Sequence, residues 1–155
     1  MAPKTIFLKS AREGAPLPKE GQAGAATIYP GHLIELSSTA GDVVVHSTAG
    51  GPAARMVAIE DSMQGQEIGD NYADDNRVQY ICPSSGDELY MKLKDGETAV
   101  IGSFLESAGD GTLQVSDANL SEIPGSVVAV ALEALNLSAS VVETAEALRI
   151  KVQII

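Results

Sequence analysis

The chain has no tryptophan and only two phenylalanines and four tyrosines in 155 residues. Stacking platforms for unpaired bases need more aromatic surface than that. Its single cysteine, Cys82, cannot form an internal disulfide, so nothing in the sequence calls for an oxidising compartment. Free cysteines are usually buried, and a small buried apolar role is expected for Cys82, which precedes Pro83 at a strand end. Basic residues are scarce, ten against twenty-one acidic ones, for a net charge of −11. A body that acidic repels phosphate backbones and anionic lipid, so neither a nucleic acid nor a membrane is an expected partner. No window approaches the roughly 18 apolar residues of a membrane span, and MAPKTIFLKSAREG lacks the apolar core of a signal peptide. A soluble product made in a cytoplasm is expected.

Catalytic and metal-binding signatures are equally thin. His32 and His46 are the only imidazoles available as a general base, and no G-x-S-x-G places a serine on a nucleophile elbow. One cysteine and two scattered histidines do not make a tetrahedral zinc site. Gly50-Gly51-Pro52 and Gly109-Asp110-Gly111 are turn glycines, because neither continues into a phosphate loop. The acidic residues Glu60, Asp61, Glu67, Asp70, Asp74 and Asp75 invite calcium, but no glycine stands at the sixth position of Asp70–Asp75 and no bidentate glutamate follows. They read as a solvated acidic loop paired in part with Arg55 and Arg77. No metal, no cofactor and no enzymatic activity are expected.

What the sequence does hold is aliphatic material for one domain: 45 % of residues are hydrophobic and 20 % charged, which leaves no case for global disorder. Short β-rich runs recur between clusters of Gly, Pro, Asp and Ser. They are Gly31–Leu36, Val43–His46, Arg55–Ile59, Val78–Cys82, Glu88–Leu93, Thr112–Val115, Val127–Leu135 and Leu148–Ile155. In the last of these Leu148, Ile150, Val152 and Ile154 alternate with Arg149, Lys151 and Gln153, which predicts a half-buried strand with a basic outer face. The expected fold is all-β, a compact sandwich or barrel (β-tulip or jelly-roll-like), with an extended N-terminal arm.

That arm is residues 1–26, with the body at 27–155. Its first twenty residues carry Lys4, Lys9, Arg12 and Lys19 against Glu13 and Glu20, while all later residues together hold six basic and nineteen acidic side chains. Pro16, Pro18, Gly14, Gly21 and Gly24 disfavour a helix interior or a central strand. Ile6-Phe7-Leu8 stands before the flexible part as an apolar anchor. A second irregular stretch, Asp61–Asn76, is too long for an ordinary connection and is expected to lie ordered across the body or a neighbouring subunit. Met63, Ile68 and Tyr72 are its expected buried anchors.

The order of the pieces "YPGHLIEL", "ARMVAIEDSMQGQEIGDNYADDNRVQYICPSSGDELYMKLKDGETAVIGSFLESAGDGTLQV" and "VVAVALEAL…LRIKVQII" resembles that of tailed-bacteriophage capsid decoration (cement) proteins over residues 28–155. The resemblance implies a non-enzymatic protein that binds the exterior of an assembled head and stabilises it against internal DNA pressure. It also implies the major capsid protein as partner and a homo-oligomer, a trimer before a dimer. Lys4, Ile6, Phe7, Leu8, Lys9, Arg12 and Lys19 then become the expected capsid-binding residues, on the composition of the arm. Two other readings stay open on the residues alone: a β-sandwich module for a carbohydrate or protein ligand, and an unrelated cytoplasmic oligomer.

Overall fold

The computed structural model describes residues 2–25, 27–117, 125–139 and 148–155. Among these, thirteen strands run in chain order: β1 (Phe7–Lys9), β2 (Lys19–Ala23), β3 (Leu33–Leu36), β4 (Asp42–Val45), β5 (Met56–Ala58), β6 (Arg77–Ile81), β7 (Glu88–Lys92), β8 (Thr98–Ala99), β9 (Phe104–Ser107), β10 (Leu113–Val115), β11 (Val127–Ala131), β12 (Leu135–Asn136) and β13 (Arg149–Ile154). A single 3-10 turn at Ser62–Gln64 is the only helical element described. The all-β expectation holds.

The strands form two main bodies. Strands β2, β4, β3, β5 and β6 close into a barrel, with β2 parallel to β4 and antiparallel to β6. Strands β1, β7, β13, β11, β9 and β10 form a six-stranded antiparallel sheet, and β8 with β12 makes a small ribbon. Each body has its own core. The barrel encloses Ala23, Ile28, Ile34, Val43, Met56, Ala58, Tyr72, Val78 and Tyr80. The sheet covers a larger cluster built on Leu89, Met91, Leu105, Leu113, Ala129, Ile150 and Val152.

Residues 2–25 do not extend from the body as an arm. Lys19–Ala23 is a barrel stave paired on both sides, and without it the ring would be open. The reason lies in Gly21, where a Cβ would come 2.9 Å from a Val43 methyl, so the missing side chain lets the stave sit close to its neighbour. Ile6 is fully buried in the larger core, and Phe7 and Leu8 pack against that core half-buried. Met1 and Ala26 lie outside the described residues.

The loop after β5 likewise joins both cores. Ile68 is buried in the larger one and Tyr72 in the barrel, where Tyr72 bridges to Ile28 and its hydroxyl donates to the Ile59 carbonyl at 2.5 Å. Burial, with Asp61 and Glu60 nearby, holds that phenol above its usual pKa. Met63, by contrast, is 97 % exposed. It sits in the 3-10 turn, capped by buried Asp61 at its start and by left-handed Gly65 at its end, which points its side chain away from the body.

Two further expectations are corrected. Arg149 is not on an outer face but buried: its guanidinium donates to the Pro30 carbonyl at 2.9 Å and to the Ile68 carbonyl. Loop and barrel entry cover that end of β13, while Lys151 keeps its partly exposed place beside Glu133 at 3.9 Å. Cys82 is exposed, because it falls just beyond the end of β6 at Ile81.

Candidate functional site

The N-terminal segment and the Glu60–Ile68 stretch meet at one place. The carboxylate of Glu60 accepts from the Thr5 hydroxyl on one oxygen and from the Ile6 N–H at 3.1 Å on the other. The chain then enters β1, where Phe7 lies opposite Leu89 and Lys9 opposite Glu88, with an irregularity between them. Lys9 pairs with the Glu88 carboxylate at 3.5 Å, so its charge is already answered within the molecule. Beyond β1, buried Asp87 ties the chain down again: Oδ1 accepts from the Ala11 N–H at 2.9 Å and Oδ2 from the Ser84 N–H at 2.8 Å. Of the seven residues expected to bind a partner, Lys4, Arg12 and Lys19 are exposed, Lys9 is exposed and paired, and Ile6, Phe7 and Leu8 are committed to the protein's own core.

Between residues 2–4 and the loop lies a pocket of about 400 Å³ lined by both segments and by Tyr90 of β7. The sequence did not reveal it, since Lys4, Glu60, Glu67 and Tyr90 share no spacing pattern. The acidic loop does not pair with Arg77 as expected. Arg77 bonds to Glu20 of β2 at 2.8 Å, Asp75 accepts from Gln22 at 2.9 Å, and Asp70 caps the Glu67 N–H at 2.8 Å. Among the described residues no three His, Cys, Asp or Glu side chains converge as metal ligands.

A second exposed feature lies across the sheet. At the turn from β8 to β9, Val100, Ile101 and Phe104 are 60 %, 72 % and 57 % exposed. The turn is fixed by the Val100 N–H to the Ser103 hydroxyl at 3.1 Å and the Gly102 N–H to the Ala131 carbonyl at 2.8 Å. The signal in the sequence is Val-Ile set at the corner of a Gly-Ser turn, where polar residues would normally stand.

Both histidines serve the junction of the two bodies. His46 Nδ1 lies 2.7 Å from the Ser107 hydroxyl and Nε2 lies 3.1 Å from the Pro52 carbonyl, with the Glu35 carboxylate at 3.7 Å. The carbonyl requires a proton on Nε2, so Nδ1 accepts from Ser107. Ser107 has zero exposure, and its hydroxyl also accepts from the Gly109 N–H at 3.1 Å, so it ties the start of the β9–β10 turn to His46. Beside it Gly111, at φ +83°, lets the β9–β10 turn dock into the barrel mouth, since a Cβ there would come 2.9 Å from Val45 and 3.1 Å from the His32 ring. His32 accepts the Tyr29 N–H on Nδ1. Burial first, then the charges of Lys92 and Arg149, outweigh the opposing Asp110 and pull its pKa down to about 3. Burial would raise the Asp110 carboxyl, but the Thr112 hydroxyl and N–H bring it below its usual value.

No protein-family model and no curated protein sequence matches the chain. Among solved structures, the head fiber gp8.5 N base of bacteriophage phi29 shares the fold, with a TM-score of 0.57 and 13 % sequence identity. The match covers 91 % of this chain and 95 % of that one. At that identity the likeness is one of fold, and it takes in the barrel and the sheet together.

Proposed function

We propose that the chain is a structural protein of a bacteriophage head. The observation that carries the reading is the likeness over nearly the whole length of both chains to a phage head fiber base. More narrowly, it acts as a decoration (cement) protein on the exterior of the assembled shell, where it contacts the major capsid protein and stabilises the head against internal DNA pressure. The role is mechanical, and two features support it. The two cores are stapled together twice, by the N-terminal segment and by the loop carrying Ile68 and Tyr72, which makes the body stiff. The apolar tip Val100, Ile101 and Phe104 gives that body a surface suited to the buried centre of a contact with the shell or with other copies in a homotrimer.

A second reading is favoured by the description of the neighbour as a base: the chain seats a further appendage on the head without reinforcing it. Mixing the protein with undecorated expanded heads separates the readings. Cosedimentation with heads, together with a higher temperature of DNA release, supports cement. Cosedimentation without protection supports a base, and absence from the pellet removes the head reading.

A further inference from the structure

We propose that the pocket between residues 2–4 and the Glu60–Ile68 stretch is a receptor for a lysine side chain of a protein partner. Its volume, about 400 Å³, exceeds what one aliphatic side chain fills. Its inner residues, Ile68 and Tyr90, are 4 % and 6 % exposed and give methylene groups an apolar bed. Around them stand Glu60, Glu67 and the hydroxyl of Ser62, with Lys4 the one cation in the lining.

Glu60 holds its place by accepting from two neutral donors, the Thr5 hydroxyl and the Ile6 N–H, so its geometry is fixed while its charge stays unanswered. Glu60, Glu67 and Lys4 take no part in the ion pairs Lys9–Glu88, Arg77–Glu20 and Lys151–Glu133. Two separate carboxylates in one lining suit a compact ammonium with three rotatable donors better than a planar guanidinium, which prefers both oxygens of one carboxylate. Lys4 stands on the N-terminal wall, where it acts as an internal competitor for the same carboxylates. The wider charge balance agrees: a chain of net charge −11 attracts a basic partner surface.

On the head reading that partner is the shell, met here through acidic residues of the chain and not through Lys4, Lys9, Arg12 and Lys19 of the N-terminal segment. The pocket itself is tested without heads. Titrating Nα-acetyl-lysine methylamide into the ¹⁵N-labelled full chain should shift the amides of Ser62, Ile68 and Tyr90 saturably at millimolar concentration. The norleucine analogue should shift them far less and the arginine analogue should bind more weakly. Glu67→Gln, on an exposed side chain, should weaken lysine binding about fivefold, the scale of one exposed ion pair, and Lys4→Ala should strengthen it. Equal shifts with norleucine, no saturable shift, or binding unchanged in Glu67→Gln would overturn the proposal. Lysine binding that persists in a protein unable to cosediment with heads would remove the head reading and leave the pocket standing.

Discussion

In the barrel every strand has two hydrogen-bonded neighbours, because β2 pairs with β6 and completes the ring. In the six-stranded sheet the two ends differ. The β10 end is tied back by the Lys94 N–H to the Leu113 carbonyl at 2.8 Å and the Val115 N–H to the Glu97 carboxylate at 3.2 Å, beside a bridge from Leu93 to Leu113. The β1 end has β7 on one side only. It is blunted by its three-residue length, its irregular register and exposed Lys9, devices that discourage further strands from adding. The pocket adjoins that β1–β7 edge, and the apolar tip caps the turn into β9, both on the sheet side. The comparison separates a closed ring of strands from an open sheet with a free edge, and both surfaces proposed above as contacts border the open sheet.

The sharpest way to break this division is to open the barrel. A chain starting at Thr27 loses β1, β2 and the buried Ile6, and should show no cooperative thermal transition by circular dichroism; a melt like that of the full chain would mean that β2 is dispensable. Removing residues 2–9 alone takes Ile6 from the larger core but leaves the ring intact, and should lower the midpoint without abolishing the transition. Next in size is Tyr72→Ala, which empties the barrel core and should cost about 3 to 5 kcal/mol in urea unfolding. Met63→Ala, in the same loop but exposed, should stay within about 0.5 kcal/mol.

The junction between the bodies should be sensitive to acid. His32 titrates near 6.5 when unfolded and at about 3 when folded, so the unfolded chain takes up the proton first. The stability that its neutrality represents is complete above pH 6.5 and is lost progressively as the pH falls towards 3. Asp110, held below its usual value, loses its contribution in the same direction at lower pH. His32→Asn should flatten the dependence of unfolding free energy on pH between 6.5 and 4, and an unchanged slope would place the acid sensitivity elsewhere. Smallest in stability is Ile101→Asp on the exposed tip, expected within about 0.5 kcal/mol. Its effect should fall on head binding or self-association, read by cosedimentation and light scattering, and a loss of neither would remove the tip from the contact surface.

The strands that could be read from the sequence are those whose side chains alternate or run apolar between turn residues, such as Leu33–Leu36, Arg77–Ile81 and Arg149–Ile154. Lys19–Ala23 could not be read, because KEGQA has neither a β-branched nor an aromatic side chain and becomes a strand only through partners distant in sequence. Phe104–Ser107 hid for a related reason: its outward residue is aromatic and exposed, so the pattern looks unlike a half-buried strand. In the loop, Ile68 and Tyr72 were legible as the large apolar residues of a polar stretch, and Met63 was misjudged because local capping by Asp61 and Gly65 outweighs hydrophobicity. The pocket was invisible because its walls are assembled by tertiary contacts alone.

The stave β2 also sets a constraint in time. Lys19–Ala23 is synthesised well before its antiparallel partner Arg77–Ile81, and β1 before it waits for Glu88–Lys92. Its other partner, β4, is parallel to it and is reached only through the crossover of residues 24–41, so no hairpin holds β2 in place. Contacts of such sequence separation raise the contact order, and ring closure should be a late and slow event in folding. The same low content of β-forming side chains that concealed β2 in the sequence makes it a poor template for aggregation during that wait.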